Sequence, residues 1–217
     1  MMQQRTQYRI AGIISILLVF LSFADAQNNK FKSETYIGIT GGPNASMVYF
    51  RPQVDQDFLF AYQGGLTVRY INEKSLGLQA EINYVQRGWS ESEKKFVKRL
   101  DYIEVPFLTH IYFGDKARFF FNIGPKIGYL LHETVIKNIN PASTNEQHVQ
   151  AIQNKFDYGL ALGLGCMFKI KNQLIQLEGR GNFSASDLFS NDRRDYFDNS
   201  NLIHGSVTLG WLIQVNK

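Results

Sequence analysis

This chain is short of the residues that hold many exported domains together. It has one cysteine, Cys166, so no internal disulfide can form. It has four histidines, and no pair of them stands at metal-ligand spacing with acidic partners, so neither a metal nor a cofactor is expected. Charged residues are 19% of the chain, below the roughly one quarter of ordinary soluble domains. The net charge of +4 is spread along the sequence. Without a basic helix or an aromatic–basic motif, it does not point to nucleic acid as a partner. Long helical patterns are also missing, and after residue 26 no apolar run is long enough to be a spanning helix.

What is plentiful is aromatic and small: 17 Phe, 11 Tyr and 18 Gly in 217 residues. That length suffices for one domain with a core, and that composition suits a β-rich protein with wide, aromatic surfaces. At the N-terminus, Arg5 and Arg9 precede "IAGIISILLVFLSF", and "ADA" then Gln27 follows. A basic segment, an apolar core and a small-x-small site predict a Sec-type signal peptide over 1–26, removed after Ala26. The alternative is an uncleaved anchor, but the apolar run is short for a bilayer span. No cysteine stands near the cleavage site, so a lipoprotein is not expected. A short lead-in over 27–34 then precedes a single domain over 35–217.

That domain reads as eight strands, near 35–44, 61–72, 75–87, 100–113, 117–132, 155–170, 173–184 and 202–216. "INEKS", "GDKA" and "KNQ" are hairpin turns. The connections over 45–60, 88–99, 133–154 and 185–201 are long, and long and short alternate strictly. In an up-and-down meander this puts every short turn at one end. Outer-membrane barrels are built this way, with short periplasmic turns and long extracellular loops.

The strands have two unlike faces. In "LGLQAEINYVQRG", Leu76, Leu78, Ala80, Ile82 and Tyr84 alternate with Gly77, Gln79, Glu81 and Asn83. The apolar face continues through Ile103, Phe107, Phe119, Ile127, Leu160, Leu164, Val207 and Trp211. The other carries Arg69, Glu81, Glu104, His110, Asn122, Lys126, Asp157, Gln176, Glu178, Arg180 and Asn182, with Gly159, Ala161, Gly163 and Gly165 between them. Volume decides which is inside. An eight-stranded barrel encloses only enough room for its own side chains, and about thirty large apolar groups would overfill it. The polar face therefore lines the lumen and the apolar face meets lipid. The alternative, a lipocalin-like soluble barrel with the apolar side inward, fails on that volume. Tyr62, Tyr70, Tyr84, Phe113, Phe119, Tyr129, Phe156 and Phe168 would form two interfacial girdles. Arg69, Glu81, Glu104, Lys126, Asp157, Glu178 and Arg180 form the expected lumen charge network. Arg69, Lys126 and Arg180 are the candidate partners of Glu81, because buried charge must be paired. Pro106 and Pro125 lie inside strands of a barrel without edges, which predicts bulges at both.

Five segments, "YIGITGGPNAS", "LGLQAEINYVQRG", "LDYIEVPFLTHIYFG", "FFFNIGPKIGYLL" and "FDYGLALGLGCMF", resemble the PorT-like outer-membrane β-barrel proteins of Bacteroidota. "YIEVP" and "IGPKIGYLL" are the most specific of these pieces. The resemblance spans nearly all of the mature chain and implies an eight-stranded outer-membrane barrel of OmpA/OmpX size. It implies little about activity, although founding members are implicated in a machine that secretes proteins across the outer membrane.

The expected function is thus an outer-membrane barrel with a polar, side-chain-plugged lumen, serving as a structural or interaction protein of the cell envelope. The alternatives are a narrow porin-like channel for small solutes, a component of a secretion machinery, and a membrane-embedded hydrolase acting on lipid A. The last would draw on His132, Glu133, His148, Ser184, Ser186 and Asp187 near the long-loop rim, although nothing in their spacing requires a triad. No catalytic residue is therefore assigned. In "SESEKKFVKR", Lys94, Lys95, Lys98 and Arg99 read as a solvated loop or as contacts to lipopolysaccharide phosphates. In "DLFSNDRRDYFDN", Phe189, Arg193, Arg194, Tyr196 and Phe197 form a candidate interaction loop; the alternative is a loop folded onto the barrel mouth. Expected partners are outer-membrane lipid and lipopolysaccharide, with a possible protein partner at the extracellular loops, around a monomer.

Overall fold

The computed structural model describes residues 32–91, 96–138, 151–190 and 197–216. The signal peptide expected over 1–26 lies outside the described residues. Eight long strands make one sheet: β1 (Glu34–Arg51), β3 (Leu59–Glu73), β4 (Leu76–Glu91), β5 (Phe96–Phe113), β6 (Ala117–Asn138), β7 (Phe156–Ile170), β8 (Gln173–Asp187) and β9 (Asn199–Gln214). A two-residue strand, β2 (Gln56–Asp57), adds to the outer end of β4. The order runs β4-β3-β1-β9-β8-β7-β6-β5, and β5 pairs back with β4. Every pairing is antiparallel. The sheet closes on itself and leaves no long edge, an up-and-down barrel in which sequence neighbours pair directly.

The three short connections are the ones the sequence marks. Ser75 and Lys171 take left-handed backbone angles, with φ of 78° and 55°, in the turns after β3 and β7. Gly114 does so at φ 101° after β5, where a Cβ would meet the carbonyl oxygen of Ala117 at 2.2 Å. Glycine is the residue that tolerates both conditions.

The faces sort by alternation. Leu66, Leu78, Ile82, Phe107, Leu160, Leu164 and Leu209 are exposed on the outer wall, while Gln79, Glu81, Asn83, Glu104, Asn122, Lys126, Asp157, Glu178 and Arg180 are buried within. The aromatic girdle positions, from Tyr62 to Phe168, all point outward. This inversion of the soluble rule, apolar outside and charged inside, is what the volume argument requires.

Two expectations need correction. The strands run further toward the long loops than alternation suggests: β1 reaches Arg51, β4 reaches Glu91, β5 starts at Phe96 and β6 continues to Asn138. The bulges also fall elsewhere. The β5–β6 ladder loses its pairs between Pro106↔Lys126 and Thr109↔Ile123 but keeps the same offset, and Pro125 pairs in register with Leu160. The register slips instead at Val97/Lys98 and at Asp101/Tyr102, near the outer end. The β4–β5 ladder likewise skips Pro106, between Ala80↔Phe107 and Asn83↔Glu104 at one offset, so each proline costs local hydrogen bonds rather than an inserted residue.

Candidate functional site: the lumen and its lid

The lumen is organised in layers. At the short-turn end Glu34, first residue of β1, gathers Arg118 (Nη1 to Oε2, 3.1 Å), the Tyr36 hydroxyl (2.8 Å) and Lys169. Arg118 also lies over the Tyr112 ring, 4.6 Å from its centroid. Just above, fully buried Arg69 donates to Gln79 Oε1 (2.7 Å), Gln176 Oε1 (2.6 Å) and the Met167 sulfur (3.2 Å). Its guanidinium sits 5.4 Å from the Phe120 ring centroid. None of these Arg69 contacts is an ion pair.

The next layer is centred on Arg180 of β8. It donates to both oxygens of Glu81 (2.7 and 2.6 Å) across the lumen on β4, and to both oxygens of Glu178 (2.9 Å each) on its own strand. Glu81 further accepts from Asn83 (2.7 Å) and Gln79. Glu178 accepts from Asn122 (3.0 Å), whose oxygen meets His110 Nδ1 at 2.7 Å. Both carboxylates are therefore saturated with charge-assisted hydrogen bonds. Of the three candidate partners for Glu81, it is Arg180 that takes it. Gly163 on β7 makes the space: a Cβ there would stand 2.2 Å from Glu178 Oε1.

Above this lies a four-charge cluster. Lys126 Nζ reaches Glu104 Oε2 (3.0 Å) and Asp157 Oδ2 (2.9 Å), and Arg87 reaches the same two atoms at 3.0 and 2.6 Å. Ser184 (3.1 Å) and Ser186 (2.7 Å) donate to Asp157 as well. Arg87 is absent from the sequence-derived network, yet it continues the inward parity of Gln79, Glu81 and Asn83. That parity was the available signal. Counting Arg69, Arg87, Lys126 and Arg180 against Glu81, Glu104, Asp157 and Glu178, the mid-lumen charges cancel, four to four, and all eight are buried.

The long-loop end is closed by an apolar lid. Phe50 packs tilted against Phe197 (centroids 4.7 Å apart), edge-on to Trp89 (5.5 Å) and stacked on Phe189 (6.4 Å), and Val48, Phe96, Leu100, Tyr102, Leu130, Ile152, Leu188 and Leu202 complete the cluster. The Arg87 guanidinium lies 3.8 Å from the Tyr102 ring centroid, joining lid to charge cluster. Phe189 and Phe197 are 0% and 1% exposed. They lie in the interior of the lid; Arg193, Arg194 and Tyr196 lie outside the described residues. Lys98 is likewise not a solvated loop residue. It is buried in β5 with Nζ 3.0 Å from Glu133 Oε2. Lys94 and Lys95 lie outside the described residues.

The residues considered for hydrolysis do not converge. His132 is exposed, Glu133 is engaged by Lys98 and by the Ile152 amide (3.1 Å), and Ser184 and Ser186 turn to Asp157. His148 lies outside the described residues. Among the described residues no Ser–His–acid relay is assembled, and no group of three or more His, Cys, Asp or Glu side chains is placed to hold a metal ion.

A closed eight-stranded antiparallel barrel, apolar outside and charged within, is the architecture of a small outer-membrane protein. Residues 24–190 match the family described as outer membrane protein beta-barrel domain, and the chain belongs to that family. Its fold is similar to that of the neisserial surface protein A, at 9% identity over 85% of this chain and 99% of that one, with a TM-score of 0.50. OprG from Pseudomonas aeruginosa aligns at 12% identity over 86% of this chain and 98% of that one, TM-score 0.48. The attachment invasion locus protein Ail of Yersinia pestis aligns at 16% identity over 83% and 99%, TM-score 0.45. No curated protein matches the chain.

Proposed function

We propose that this outer-membrane barrel is closed to ions and acts as a structural or interaction protein of the cell envelope. The observation that carries this reading is the lumen cross-section: eight buried charges, four of each sign, on six of the eight long strands, bonded across the barrel beneath an aromatic lid. A continuous aqueous path needs unpaired polar wall and width, and here paired side chains occupy the middle of the lumen. Function then falls to the surfaces at the ends, with the long loops facing the cell exterior and lipopolysaccharide around the wall. The finer placement, among PorT-like barrels of Bacteroidota exported through the Sec pathway, is supported by "YIEVP", "IGPKIGYLL" and the N-terminal segment. Planar-bilayer recording of the purified, folded barrel tests the reading. A silent membrane is expected, and stable unitary currents would replace it with the narrow-channel alternative.

A further inference from the structure

The outer wall is hollowed across β7, β8 and β9. A groove of about 430 Å³, almost wholly apolar, runs between Leu160 and Leu162 of β7, Phe183 of β8 and Ile203 of β9. Its floor is Gly181 and Gly205, which are exposed and pair directly with each other. Ala45 follows Gly205 in the same row, so three strands in succession carry no bulky side chain there. Crowding does not impose these glycines. A Cβ on Gly181 would stand 4.0 Å from its nearest neighbour, the Leu162 carbonyl oxygen, and one on Gly205 3.9 Å from that of Arg180. Glycine inside a strand weakens it and often marks a close approach by a ligand or another backbone.

The groove opens toward the long-loop end. Above Leu160 on the same strand, Phe156 and Tyr158 face outward with ring centroids 6.4 Å apart. Just before them Lys155 is exposed, its ammonium in no ion pair among the described residues. Its place is fixed through the backbone: its carbonyl accepts from the Leu130 amide at 2.8 Å, and the Asn154 side chain donates to the Asp187 carbonyl at 2.9 Å. From Lys155 to Leu160 is about 16 Å at about 3.3 Å per residue, close to half of a hydrocarbon core about 30 Å thick. A cation at the interface, two rings below it and an apolar slot deeper fit one amphiphile end to end. Its head is anionic, its tail is aliphatic, and it belongs to the leaflet on the long-loop side. A second barrel fits poorly, because its convex wall would rest on Leu160 and Phe183 without reaching the glycines.

We propose that this is a binding site for a phosphorylated glycolipid of the outer leaflet, lipid A in chemical class. One acyl chain lies over Gly181 and Gly205, and a phosphate meets Lys155 in a charge-assisted hydrogen bond. The site deepens the reading above by naming a partner for the wall. It rests on the long loops facing the cell exterior and not on a closed lumen, so lipid retention and silent recordings fail separately.

The test uses the full mature protein in phosphatidylcholine nanodiscs doped with lipid A, dephosphorylated lipid A and phosphatidylglycerol in equal amounts. After release into mild detergent, native mass spectrometry counts the lipids retained. One lipid A per barrel is expected, severalfold above either competitor. Equal retention of the three, or a preference for phosphatidylglycerol, overturns the proposal. The double variant Gly181→Leu, Gly205→Leu fills the groove and should cut lipid A retention severalfold while heat-modifiable gel migration persists. Unchanged retention in that folded variant overturns the proposal too. Lys155→Gln lies outside the strands and keeps the test alive if the double variant does not fold. It should bring lipid A down to the level of its dephosphorylated form, and an undiminished preference for the phosphorylated lipid overturns the site.

Discussion

Arg180 and Glu81 meet across the lumen through two parallel hydrogen bonds of 2.7 and 2.6 Å, from strands that are not neighbours in the barrel. This fork ties β8 to β4 through the interior, where the sheet itself ties neither to the other. Removing one partner of a buried pair leaves an uncompensated charge, which costs about 3–5 kcal/mol. Arg180→Met strands two carboxylates, Glu81 and Glu178, and should reach or exceed that range in urea unfolding from lipid vesicles. The triple variant with Glu81→Leu and Glu178→Leu should recover much of the loss.

The space beside Glu178 is a second point of sensitivity. A methyl group at Gly163 would overlap its carboxylate, so Gly163→Ala should destabilise by about 1–3 kcal/mol. Gly179 on the adjoining strand has nothing nearer than 4.0 Å to such a methyl. Gly179→Ala, measured in the same titration, should be close to neutral.

The lid and the charge cluster make separable contributions. Phe50 is 3% exposed and contacts three other lid rings; Phe50→Ala should lower stability by about 3–5 kcal/mol. It should leave bilayer recordings silent, because Arg87, Lys126, Glu104 and Asp157 still fill the lumen below. Currents appearing on lid truncation alone would make the lid, and not the charge layers, the barrier to ions.

Leu78 tests the outer wall. It is 63% exposed beside buried Gln79. Leu78→Arg puts a charge against hydrocarbon and should destabilise by about 2–4 kcal/mol. Leu78→Ala should cost far less, since a lipid tail refills the space.

Much of this was legible in the sequence because a membrane barrel writes its two solvents into alternate residues. The parity that places Glu81 inward also places Arg87 inward, six residues along the same strand. Arg87 was missed because the pattern fades at that point: Gly88, Trp89 and Ser90 are all buried. At the lid the interior turns from polar to aromatic, so Trp89, Phe96 and Leu100 break the rule that polar means inside, and strand ends vanish from the period. For the same reason Phe189 and Phe197 read as exposed loop residues. Only three dimensions show that they close over Phe50. The prolines misled in another way, since a missing donor and an inserted residue leave the same mark in a one-dimensional pattern.

The direction of the two faces can be read from a spin-label scan along β4. In a Cys166→Ala background, single cysteines from Leu76 to Tyr84 are labelled and reconstituted in bilayers. Labels at Leu78, Ile82 and Tyr84 should relax strongly with lipid-dissolved oxygen. Labels at Gln79, Glu81 and Asn83 should be immobilised and shielded from it. The opposite phase would place the polar face against lipid, and no alternation would mean that β4 does not separate lipid from lumen; either result overturns the assigned direction of the two faces.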